Sequence, residues 1–236
     1  MTEFPYQIID LTHTLDELTP SWDSSCGFKC QLSFDYADCD THVQFRVQEI
    51  KMPAGIGTHM DAPAHCIPNG TTIDQLPLSK FLAPCNVINI SESAHEYFSL
   101  LPQDIAHFES SHGSILPGSF VMVQTGWEQF WSDQKKYRNN YIFPSVSAEA
   151  AIILLKKGVC GLGIDTLSPD RPEDGYPVHQ LFLSNGKYLI ENAANLANLP
   201  AQGSFILALP IKIRDATEAP IRLIGLINKI KNEVKD

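Results

Sequence analysis

Residues 54–66 read AGIGTHMDAPAHC and place His59, Asp61 and His65 within seven positions, among glycines and a proline that forbid a regular helix. In an extended segment, side chains two apart share a side, so His59 and Asp61 could face one ion while Met60 faces away. Imidazole nitrogen and carboxylate oxygen suit zinc, manganese or iron, and further ligands of such a site must arrive from elsewhere in the chain. His65, beyond Pro63, could return to the same cavity. Spacing alone leaves a plain alternative open, because H-x-D is a common tripeptide and the pair could be a hydrogen-bonded loop feature.

These residues need elements to hold them. Val43, Phe45 and Val47 alternate with Gln44, Arg46 and Gln48, which predicts a strand with one buried face leading into the motif. Four apolar runs bounded by turn residues, CNVINI at 85–90, SFVMVQT at 119–125, VCGLGID at 159–165 and SFILALP at 204–210, read as interior strands. Between them, residues 147–158 predict a helix: Ser147 suits the N-cap, Glu149 the first turn, Lys156 and Lys157 the last, and Gly158 the stop. Residues 127–137 and 191–198 are further helix candidates, while Pro53, Pro63, Pro68, Pro169, Pro172 and Pro177 mark loops. The alternation predicts an α/β chain with a mixed sheet, folded as a single domain over residues 1–236.

Composition bounds the function. A chain of 236 residues with 44% hydrophobic content can bury one sizeable core. Its net charge of −10 and lack of a basic cluster argue against nucleic acid as a partner. The start MTEFPYQIIDLT lacks the charged and apolar regions of a secretory leader, and no apolar run approaches the roughly 20 residues that span a bilayer. A soluble cytoplasmic protein without a membrane partner is expected. Six cysteines without C-x-x-C spacing are expected to be mostly reduced and buried.

The longer pattern G-T-H-x-D-A-P-x-H resembles the signature of the cyclase family of metal-dependent hydrolases, the kynurenine formamidase and isatin hydrolase type. The likeness continues through IDLTHTL, PNGTTIDQLPL, VMVQTGW, FPSVSAEAAIILLKKGVCGLGIDTLSPD, YLIENAANLANLP and APIRLIGL, in the family's order along nearly the whole chain. It implies a swivelling β/β/α fold, a divalent metal (zinc or manganese), a small-molecule substrate, and a homodimer or higher homo-oligomer. It also implies roles: His59 and Asp61 as metal ligands, His65 at the catalytic centre as base or second-site ligand, and His179 and Glu191 completing the pocket. Without it, His179 would read as a loop histidine and Glu191 as a first-turn acid of a helix.

One position departs from the family. Its pattern begins H-x-G-T-H, with the leading histidine a ligand, and here that position is Gly55. Either the seat is left to water or another donor, or a thiolate from Cys66, Cys26, Cys30 or Cys39 replaces it. Asp165 could orient a ligand imidazole or simply cap a turn, and Trp22, Phe28, Phe34 and Trp127 could wall an aromatic pocket or belong to the core. The activity so implied is hydrolysis of an amide C–N bond, linear or cyclic, arylformamidase-like, in a small substrate for which an aromatic ring is one option. Alternatives are a lactone hydrolase or cyclisation catalyst using the same Lewis acid, or a non-catalytic binding protein with a degenerate metal site.

Overall fold

The four apolar runs form the centre of the sheet in the computed structural model, which describes residues 4–23 and 25–229. The first half contains β1 (Tyr6–Asp10), β2 (Lys29–Phe34), β3 (Val47–Lys51), β4 (His59–Asp61), β5 (Leu82–Asn89), β6 (Ser99–Leu100), α1 (Pro102–His112) and β7 (Phe120–Gln124). The second contains α2 (Gln134–Arg138), β8 (Ser145–Val146), α3 (Ala148–Lys156), β9 (Gly161–Ile164), α4 (Pro177–Ser184), β10 (Tyr188–Glu191), β11 (Ser204–Pro210) and β12 (Glu218–Asn228).

Strands follow the order β1-β12-β11-β5-β7-β9-β10-β4, and β4 pairs back onto β12, so the sheet closes like a barrel with β1 added outside the ring. The β5-β7-β9-β10 run is parallel, and the remaining pairs are antiparallel. Parallel strands are buried on both faces, which is why these runs are apolar without alternation. Phe120, Met122, Tyr188 and Ile190 point into the ring with Met60, Ile206 and Leu223. Val121, Val123, Leu162 and Leu189 point outward and are covered by α1, α3 and α4 through Phe108, Leu154 and Phe182. Gly161 lies where a Cβ would meet the Phe120 ring and come 2.7 Å from the Tyr188 carbonyl oxygen, so the ring's tight packing requires glycine there.

Helix α3 matches the expected signals: Ser147 accepts a hydrogen bond from the Ala150 N–H, and Gly158 follows with φ of +78°. Four expectations are corrected. The strand over 43–48 begins only at Val47, and its predicted inner face is exposed, Val43 by 61% and Phe45 by 57%. β2 and β3 form a hairpin exposed along both strands; alternation reports an apolar face but not whether anything covers it. Residues 127–137 break into a 3-10 turn, Trp127–Phe130, and the short α2. The third correction is at 191–198, where Glu191 ends β10 and only a 3-10 turn forms at Leu196–Asn198. Asn192 and Asn195 adopt left-handed backbone, and Asn192 spends its amide on the Gly57 carbonyl, which ends any helix there. Conversely, Pro177 starts α4 rather than a loop, because its missing N–H costs nothing in a first turn.

Candidate metal centre

β4 is three residues long and lies between β10 and β12. Met60 is fully buried in the ring, so His59 and Asp61 face the outer side, as two-residue periodicity requires. Register does the rest: Glu191 lies opposite His59 on β10, and Glu218 lies opposite Asp61 on β12. Helix α4 crosses this outer face and adds His179, which is 5% exposed, while the 3-10 turn Pro63–His65 after β4 adds His65.

The arrangement is two-sided. Asp61 turns Oδ1 to His59 Nε2 at 3.4 Å and Oδ2 to His179 Nε2 at 3.5 Å. Glu191 does the same, Oε2 to His59 at 3.3 Å and Oε1 to His179 at 3.4 Å. Donor atoms of Asp61, His65 and His179 lie within 4.8 Å of one another, and so do those of His59, Asp61 and Glu218. His59 Nδ1–H donates to the Gly57 carbonyl at 2.8 Å, and His179 Nδ1–H donates to Asp170 at 2.8 Å, so both rings present Nε2 to the centre. Gly57, with φ of +59°, turns that carbonyl back toward His59.

These residues fit a divalent cation. Both oxygens of Asp61 and Oε1 of Glu191 are buried and accept no hydrogen bond, an arrangement that costs several kcal/mol unless positive charge compensates it. The field is strong. Burial would lower the His59 imidazole, but Asp61 and Glu191 over-compensate and raise it to about 10. His179 is likewise held well above its ordinary value against its burial, by Asp170, Asp61 and Glu191. Burial would raise Glu191, yet the imidazoles of His179 and His59 beside its two oxygens bring it down to about 2. A cavity of about 480 Å³ opens above the centre, with Trp22, Leu167 and Tyr176 among its walls. That volume suits a small-molecule ligand, for which pockets run from about 300 to 1,000 Å³.

The sequence matches the cyclase family over residues 9–171. The chain belongs to the cyclase family. It is 34% identical over 189 residues to an isatin hydrolase of Roseibium aggregatum, covering 73% of this chain and 72% of that one. A kynurenine formamidase of Paracidovorax citrulli is 31% identical over 180 residues, 75% of this chain and 78% of the relative. Among solved structures, isatin hydrolase A of Labrenzia aggregata superposes with a TM-score of 0.85 at 30% identity, over 95% of both chains. Another, described as a potential metal-dependent hydrolase with cyclase activity, gives 0.74 at 26% identity, over 94% of this chain and 98% of that one.

Within this cyclase-family chain, the structure brings His59, Asp61, His65, His179 and Glu191 into one cluster, of which His59, His65, His179 and Glu191 line the cavity. It does not bring every candidate there. Asp165 accepts from Thr125 N–H and hydroxyl and from Gly126 N–H, capping the turn after β7; burial raises its carboxyl to about 6. The residue that orients an imidazole is Asp170, which sequence reasoning missed although it stands just ahead of the helix that carries His179. Cys66 lines the cavity but belongs to neither donor group, Cys26 bonds to the Asp16 carbonyl, Cys39 bonds to backbone near the hairpin, and Cys30 lies exposed on β2. Trp22 reaches the cavity, whereas Trp127 is core, Phe34 is exposed on β2, and Phe28 lies outside the cavity lining. Glu218 was also missed: its strand β12 follows β4 by more than 150 residues, and no motif spacing links the two.

Proposed function

We propose that His59, Asp61, His179 and Glu191 hold a divalent metal, zinc or manganese, and that the chain is a hydrolase cleaving an amide C–N bond in a small aromatic substrate, arylformamidase-like. The observation that carries this reading is the set of buried carboxylate oxygens of Asp61 and Glu191 that accept no hydrogen bond, framed by two imidazoles whose Nε2 atoms face them. The two named relatives, an isatin hydrolase and a kynurenine formamidase, support the amide. When bound, such an ion lowers the pKa of a water from about 15.7 toward about 7 and polarises a carbonyl.

The chain's own residues supply the remainder. Trp22 and Tyr176, ring centroids 6.1 Å apart, present aromatic surface to a planar substrate at the cavity mouth. His65 is half-open to the cavity, with Nδ1 3.3 Å from the Glu218 carboxylate, a contact that raises the imidazole above its ordinary value. From that position His65 can take a proton from the attacking water and deliver it to the leaving nitrogen as the C–N bond breaks. Asp170 keeps the His179 ring in one orientation and one tautomer throughout.

Two coarser expectations extend the proposal. The six free cysteines suit a reducing compartment such as the cytoplasm, and among the described residues no helix is long and apolar enough to cross a membrane. Leu32, Val47 and Ile50, each at least half exposed on the β2–β3 hairpin, support a homodimer, which light scattering checks directly. The function itself is tested by elemental analysis of freshly purified protein, together with hydrolysis of isatin and of an N-formyl aromatic amine before and after chelation. Metal near stoichiometry and activity lost to chelator and restored by manganese or zinc are expected. A metal-free protein without metal-stimulated hydrolysis refutes the proposal.

A further inference from the structure

Position 55 is where this chain departs from the family's H-x-G-T-H start, and another residue occupies the space a side chain would take there. A Cβ on Gly55 would fall onto the Glu218 carboxylate, touching Oε1 and lying 3.0 Å from Cδ, and would stand 3.3 Å from His59 Nε2. Gly55 does not have a positive φ, so the backbone does not demand glycine; the Glu218 carboxylate does. Glu218 opens β12 opposite Asp61, and its carboxylate joins His59 and Asp61 in one group of donor atoms within 4.8 Å. Independently, Asp61 Oδ1, the oxygen turned toward His59, is buried and accepts no hydrogen bond.

We propose that Glu218 replaces the family's histidine at position 55 as a metal donor, so that the His59 side of the centre consists of His59, Asp61 and Glu218. The inference rests on the metal-binding reading given above. It has a chemical consequence. A carboxylate in place of an imidazole makes that side harder and richer in oxygen, which shifts its preference from zinc toward manganese. It also makes Gly55 and Glu218 complementary, because a side chain at 55 and the carboxylate of 218 compete for one space.

Calorimetric titration of metal-free protein with Mn²⁺ and with Zn²⁺ tests this on wild type, Glu218→Gln, Glu218→Ala, Gly55→His and the double variant Gly55→His/Glu218→Ala. Circular dichroism confirms folding, and the near-isosteric Glu218→Gln guards against a misfolded alanine variant. Glu218→Gln should weaken or abolish binding of one Mn²⁺ by at least about a hundredfold, the upper end of what loss of a merely supporting partner costs. Gly55→His alone should weaken binding, whereas in the Glu218→Ala background it should restore it and favour zinc relative to wild type. Unchanged stoichiometry and affinity in Glu218→Gln, or a double variant no better than Glu218→Ala, overturns the role of Glu218 while leaving the four-residue centre standing. Failure of the wild type to bind either metal instead refutes the metal-binding reading itself.

Discussion

Replacing Asp170 with alanine should destabilise the protein more than any substitution of an exposed acid, and the structure sets the size. Asp170 is 1% exposed and accepts three hydrogen bonds: from Val178 N–H at 3.0 Å, His179 N–H at 2.9 Å and His179 Nδ1–H at 2.8 Å. It also places a carboxylate at the N-terminus of α4, where the helix dipole favours negative charge. Each buried donor left without a partner costs about 1–3 kcal/mol. The three share one acceptor residue, so their costs do not add fully, and a total of about 3–5 kcal/mol follows. For a chain of this size that lowers Tm by roughly 6–20 °C. Asp170→Asn keeps one acceptor oxygen and should cost about 2 kcal/mol, since its amide N–H₂ must then face a donor. In that milder variant the His179 ring loses its fixed orientation, and metal affinity should fall about 10–100-fold. Differential scanning calorimetry with metal titration reads both effects. An alanine variant within about 1 kcal/mol of wild type would refute the account of Asp170 as the joint anchor of α4 and His179.

Other outcomes follow from single contacts. Gly161→Ala drives a methyl against the Phe120 ring and the Tyr188 carbonyl and should cost about 2–4 kcal/mol, whereas Gly118→Ala, with nothing within 4 Å but φ of +78°, should cost about 1–2; equal urea midpoints would contradict the packing argument. His13 stacks on Trp131 at 3.7 Å with Nε2 buried and unpartnered, and burial lowers its imidazole to about 4. The unfolded chain therefore binds this proton more readily, so the stability tied to neutral His13 is full above about 6.5 and is lost as pH falls through about 4, by at most about 3 kcal/mol before discounting for partial exposure. Urea unfolding at several pH values should show that slope flattened in His13→Phe; an identical slope refutes it. His65→Ala should lower turnover about a hundredfold to ten-thousandfold with metal content kept, and parallel loss of both would make His65 a ligand instead.

What the sequence determined by itself is local. The period of two put His59 and Asp61 on one side and Met60 on the other, the buried parallel strands announced themselves as unbroken apolar runs, and Ser147 and Gly158 bounded α3. Family likeness drew attention to His179 and Glu191, but the elements around them misled: Pro177 suggested a loop where it starts a helix, and 191–198 suggested a helix where Glu191 ends a strand. The exposed hairpin and the turn-capping role of Asp165 were equally hidden, since neither alternation nor a lone aspartate states what lies opposite. The centre as a whole was decided by ring closure. Only when β4 pairs with both β10 and β12 do Glu191 and Glu218 come to stand beside His59 and Asp61, and only when α4 packs over that face does His179, held by Asp170, complete the set. These pairings span more than 120 residues of chain, and the hydrogen bonds that make them are backbone bonds, which any sequence of strand-forming residues can offer. Register, and with it the meeting of Gly55 and the Glu218 carboxylate beside Asp61, is therefore a property of the assembled sheet rather than of any segment.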